Sequence, residues 1–168
     1  MFPKLAHDCE NCAALCCVGL AFDKSDMFAI DKPAGVACPN LGADARCTIH
    51  ADLEKRGFAG CIQYGCLGAG QRVTQELFQG QNWQDNPKIL PEMLDAFMAM
   101  RKVHEHLQLL ETAGKLTMAG EQRAVRDTLI DRLTPTEWTL ETLRDFTGGD
   151  FGDDMRYFLT SLQDTARG

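Results

Sequence analysis

Every cysteine of this 168-residue chain, eight in all, falls between Cys9 and Cys66, and none follows. Sulfur at that density and at such short spacings limits what the first part of the chain can be. Free buried thiols act as small apolar fillers with no need to cluster, so clustering points to cross-links or to metal. In a secreted protein an even, clustered set implies disulfides. Here the opening Met1-Phe2-Pro3-Lys4-Leu5-Ala6-His7-Asp8-Cys9 has no charged segment followed by an apolar run, so no secretory leader is expected. No stretch approaches the run of about 20 apolar residues that spans a bilayer. The expected location is cytoplasmic, and in that reducing compartment the expected occupant of a thiol cluster is a metal ion. The balance of 17 basic against 24 acidic residues, a net charge of -7, argues against a phosphate backbone as partner.

The text of the chain changes near Gly68-Ala69-Gly70. Before it, Asp31-Lys32-Pro33-Ala34-Gly35 and Cys38-Pro39-Asn40-Leu41-Gly42 read as turns, and no helical period is sustained. Residues 1–70 are therefore expected to be a loop-rich cysteine module with two or three brief helices. Metal would supply the constraint that its small core lacks. Residues 71–168 read as a helical region packed against it, for a mainly α fold ending in an antiparallel bundle. From Pro87 to about Ala113, Leu90, Met93, Leu94, Phe97, Met100, Val103, Leu107 and Leu110 recur at helical spacing. A second helix starts within Thr117–Glu121 and carries Val125, Leu129, Ile130 and Leu133. Thr134-Pro135-Thr136-Glu137 predicts the start of a third, with a capping hydroxyl, proline in the first turn and glutamate three residues on. That helix carries Trp138, Leu140, Leu143 and Phe146 up to Gly148-Gly149, and a last one runs from Asp153 to Thr165. Trp83, in the connecting stretch 79–87, is expected to pack back onto the cysteine module.

The cysteines fall into two sets. On a continuous helix Cys9, Cys12 and Cys16 would share a wedge of ~60°, with Cys17 pointing away from it. On a turn, Cys9 and Cys12 would form the two-residue knuckle that grips zinc. Cys38, Cys47, Cys61 and Cys66 make the second set, in glycine-rich surroundings. Eight thiolates suit two tetrahedral sites, a four-iron cluster with sulfurs to spare, or a site with bridging sulfurs. Zinc, copper(I) and iron–sulfur centres all accept such ligands.

The order Cys9-x2-Cys12-x3-Cys16-Cys17, then Cys38-Pro39-Asn40-Leu41, Cys47-Thr48-Ile49, Cys61 and Cys66 resembles the bacterial CxxCxxCC family of zinc- or iron-chelating domains. The resemblance covers residues 8–67 and implies that all eight cysteines are metal ligands. Two positions depart from the pattern: Arg56-Gly57-Phe58-Ala59-Gly60 stands where an arginine–proline pair is common, and His50 where tyrosine is usual. Cys9 to Gln71, with Ile30–Gly35, Gly57–Cys61 and Gly68–Gln71, is also similar to the cysteine-rich region that precedes the repeats of some bacterial pentapeptide-repeat proteins. The repeats themselves are absent from the sequence. One branch of the CxxCxxCC family includes flagellin lysine methylases, but no loop for a methyl donor is recognisable here.

His7 and His50 neighbour the cysteines and are expected to support ligands by hydrogen bonding. His104 and His106 are two apart on the long helix and should face different ways, His104 as a satisfied boundary histidine. Asp150, Asp153 and Asp154 miss the later positions of a calcium loop and read as a helix cap and a solvated face. The resulting expectation is a metal-binding protein, zinc favoured, serving as a scaffold or docking a protein partner through its helices. The alternative is an iron–sulfur protein with a redox or enzymatic role. No nucleophile–base pair or carboxylate dyad stands out.

Overall fold

The computed structural model describes residues 2–166; Met1 and the final two residues, which entered the readings of leader and terminus, lie outside them. Among the described residues there are seven α-helices: α1 (Leu15–Gly19), α2 (Ala59–Gln63), α3 (Ala69–Arg72), α4 (Leu90–Ala113), α5 (Gly120–Leu133), α6 (Leu140–Gly148) and α7 (Phe151–Ala166). No strand forms among the described residues, where β pairing is confined to two isolated bridges, Phe22 with Lys32 and Leu41 with Cys47. The fold is mainly α, as its periodicity predicts.

The spine is α4. Met93, Phe97, Met100, Val103, Leu107 and Leu110 recur every three or four residues, and all six are completely buried. Burying a side chain of this size contributes about 1.5–3 kcal/mol relative to leaving it exposed, so this one stripe outweighs any propensity term. Pro91 sits in the first turn, where its missing N–H would have had no partner. On one side α4 meets α1, α3 and the π turn Val73–Leu77 that continues α3; on another it meets α5 and α6. Helices α5 and α7 run antiparallel. Arg132 near the end of α5 pairs with Asp150 and Asp154 at the start of α7, and Gln122 near the start of α5 donates to the Ser161 carbonyl further along α7.

The predicted start of the third helix is too early. Thr134 is already engaged by α5, its hydroxyl donating to the Ile130 carbonyl at 2.9 Å. The cap is Thr139: its Oγ1 accepts from Thr142 N at 3.1 Å, while Thr142 Oγ1 accepts from Thr139 N at 3.0 Å. Trp138 thus lies before the helix, buried beside Phe146.

One apolar core runs from the cysteine-bearing part into the bundle. It includes Ala13, Leu15, Ala69 and Val73 together with the α4 stripe, Leu143 of α6 and Phe158 of α7. Trp83 packs against it, and its indole Nε1–H donates to the Ala13 carbonyl at 2.7 Å. The tryptophan reaches back as predicted, and it does so onto the segment between Cys12 and Cys16. No helix among the described residues is long and apolar enough to cross a membrane.

Candidate metal centre

The first four cysteines do not lie on one helix. Asp8 caps a short 3-10 turn, Cys9–Asn11, by accepting from Glu10 N, and Cys12 then takes an extended conformation. Ala14 follows with φ 54, a left-handed conformation that costs an alanine roughly 1 kcal/mol, before α1 starts at Leu15 with Cys16 and Cys17 in its first turn. Tertiary contacts hold this kink. Ala13 N donates to Thr74 Oγ1 at 3.0 Å while Ala13 O accepts from Trp83, so neither group is free to join a helical ladder. Of the two predicted geometries the turn is the one found. Burial raises the Cys12 thiol, and backbone N–H groups of Leu15 and Ala14 only partly oppose that rise.

The second set is brought in by backbone pairing. Cys38 N donates to Cys17 O at 3.0 Å, which ties the two residues together. Leu41 N bonds to Cys38 O at 2.9 Å and Thr48 N to Asn40 O at 2.9 Å, folding Cys47 back beside Leu41. Cys61 rides on α2, docked by Gly60 N on Met27 O at 3.0 Å. The Phe28 ring occupies the place a Cβ of Gly60 would take, and stacks on Phe22 with centroids 4.2 Å apart. After Cys66 the chain turns sharply through Leu67 (φ 52) and Gly68 (φ 88). His104 of α4 secures that turn from below: Nδ1–H donates to Leu67 O at 2.6 Å, and Arg72 Nη1 donates to Nε2 at 3.3 Å. Both ring nitrogens are satisfied with the imidazole neutral, and burial holds its pKa below the usual histidine range. Gly70 completes the approach. A Cβ there would lie 2.7 Å from Cys12 Sγ and 3.8 Å from Cys66 Sγ, so the two sulfurs meet over a backbone position that admits no side chain.

All eight cysteines are free thiols. Cys16 Sγ and Cys17 Sγ stand 4.0 Å apart and share a proton unequally. The hydrogen bond from Cys16 brings the Cys17 thiol down to about 7 against the effect of burial, with the Lys32 ammonium assisting. The same hydrogen bond, with burial, pushes Cys16 up. Burial pushes Cys12 and Cys61 to about 11 each and raises Cys9 and Cys47. Neighbouring thiols add to every one of these upward shifts. The sulfurs are thus gathered but not closed: among the described residues, no three Cys, His, Asp or Glu side chains already stand as a metal-holding group.

Lys32 is the residue that reading the sequence missed. It lay inside a stretch read only as a turn, yet it is 3% exposed. Its Nζ donates to the carbonyls of Val18, Pro33 and Val36 at 3.2, 3.1 and 2.8 Å, and its charge faces Cys38, Cys17 and Cys16. An ammonium there offsets negative charge that would accumulate on thiolates. Lys32→Met should leave three carbonyls without a donor, at about 1–3 kcal/mol for each that stays buried. We expect a loss of at least about 3 kcal/mol in urea unfolding; a variant within about 0.5 kcal/mol of the parent would remove Lys32 from this role.

His7 and His50 are exposed, and neither is bonded to a cysteine in the described contacts. His106 faces Phe146 and Phe151 in the bundle, so the two helical histidines diverge as expected. Asp150 and Asp154 pair with Arg132, and Asp153 with Arg156, on the solvated face.

No protein-family profile matches the chain, and no solved structure is similar to it. Among curated proteins it is 43% identical over 115 residues to the uncharacterized protein YybG of Bacillus subtilis (strain 168). The match covers 68% of this chain and 41% of YybG, so the chain spans well under half of the relative it resembles.

Proposed function

We propose that residues 9–66 form a thiolate metal-binding module with zinc as the favoured ion, and that α4–α7 hold it in place and offer a surface to a protein partner. The observation that carries this reading is the density of free thiols in residues 9–66, with Cys12 and Cys66 on either side of Gly70 and Cys16 Sγ 4.0 Å from Cys17 Sγ. Lys32 adds positive charge beside Cys38, Cys17 and Cys16. Gly70 keeps the space between Cys12 and Cys66 open. The resemblance of the cysteine order to the CxxCxxCC domains supports the same reading. A site closed by four sulfurs leaves no position for water, which suits a structural role over hydrolysis.

The test is elemental analysis and a visible spectrum on the full chain purified with and without oxygen. Colourless protein with stoichiometric zinc in both preparations is expected. Brown anaerobic protein with broad visible absorption would assign the thiols to an iron–sulfur cluster instead, and protein devoid of metal in both would end the metal reading.

A further inference from the structure

The eight sulfurs are not equivalent in position. Cys12 and Cys66 meet over Gly70, and Cys16 follows Cys12 across the Ala14 kink; all three pack against the apolar core under α4. Cys9 is one 3-10 turn from Cys12. Cys17 is bonded through its backbone to Cys38, Leu41 bonds back to Cys38 and bridges to Cys47, and Cys61 comes in on α2. The Lys32 ammonium, bonded to Val18, Pro33 and Val36, belongs to this second side. The two groups touch where Cys16 and Cys17 stand 4.0 Å apart.

We propose that the thiols form two separate four-sulfur centres, an inner one of Cys9, Cys12, Cys16 and Cys66 seated on the core, and an outer one of Cys17, Cys38, Cys47 and Cys61 over Lys32, abutting at the Cys16–Cys17 step. This deepens the metal-binding reading and rests on it. Four thiolates match the tetrahedral coordination of zinc, so each centre takes one ion with no sulfur left over. Because Cys12, Cys16 and Cys66 pack against the core under α4 while Cys38 and Cys47 lie on loops, the inner ion leaves last. Opening a loop-held site needs only local unfolding, and such segments lie at the low end of the stability range.

Zinc(II) alone, added to the reduced, metal-free full chain, is the probe, with retained zinc counted after a fixed excess of a competing chelator. The parent chain is expected to retain two zinc ions and to release them in two phases. Cys12→Ser with Cys66→Ser should retain one and lose the slow phase. Cys38→Ser with Cys47→Ser should also retain one and lose the fast phase. Cys12→Ser with Cys47→Ser damages both centres and should retain none. Helical circular dichroism on each variant checks that α4–α7 remain folded. Equal retention in all three double variants, or single-phase release from the parent, would mean one shared cluster and overturn the division. A parent chain that binds no zinc would overturn the metal reading as well, so the two failures are distinguishable.

Discussion

Stripping metal from the native chain with a strong chelator is expected to release the loops between Cys9 and Cys66 while most of the helical signal of α4–α7 survives. The imbalance lies in what each part buries. Between α1 and Cys66 the buried apolar residues are Ala45, Leu53 and Phe58, none of them completely enclosed, whereas α4 alone buries six large side chains completely. Three burials contribute a few kcal/mol at most, against about 1–2 kcal/mol of backbone entropy for every loop residue held in place. A structural thiolate site supplies on the order of 10 kcal/mol for each ion. With the ions gone, the thiols should become reactive within the mixing time of a thiol titration. The circular dichroism of the long helices should fall only modestly. Unchanged thiol reactivity after chelation would show that the loops hold themselves, and the metal would have no structural role.

Phe97→Ala is expected to give the largest effect of any single substitution in the core. Its ring is completely buried on α4 and lies 3.7 Å from where side chains would begin at both Gly19, the end of α1, and Gly70 of α3. It therefore joins the helix carrying Cys16 and Cys17 to the backbone over which Cys12 and Cys66 meet. Truncating a buried phenylalanine costs about 3–5 kcal/mol, which for a chain of this size lowers Tm by roughly 10 °C. Phe158→Ala in α7 is the control, since Phe158 is buried to the same degree but lies in the bundle. Both variants should melt earlier. Only Phe97→Ala should also speed zinc release to a competing chelator. Equal release rates in the two variants would show that the cysteine part and the bundle are independent units.

These two expectations depend on features that were legible to very different degrees. The α4 stripe was plain in the sequence because a long amphipathic period is a local signal, and α5 and α7 followed from the same rule. The start of α6 was misplaced because Thr134 and Thr139 offer equally good capping hydroxyls. Only the three-dimensional context shows that Thr134 is already bonded to Ile130. At the candidate centre the residue types could be read from spacing, but their arrangement could not. The left-handed Ala14 is held by Thr74 and Trp83, 60 and more positions along the chain. No local pattern encodes such contacts. Gly70 resembled an ordinary loop glycine, and Lys32 an ordinary turn residue. Their roles arise from what the fold places beside them, the sulfurs of Cys12 and Cys66 in one case and three backbone carbonyls in the other.

The most direct measurement is X-ray absorption at the metal edge of the purified full chain. Thiolate ligation in closed centres predicts a first shell of four sulfurs at about 2.3 Å from zinc, with no nitrogen or oxygen scatterer. A first shell dominated by nitrogen or oxygen at about 2.0–2.1 Å would contradict it, because such a shell cannot be built from Cys9, Cys12, Cys16, Cys17, Cys38, Cys47, Cys61 and Cys66.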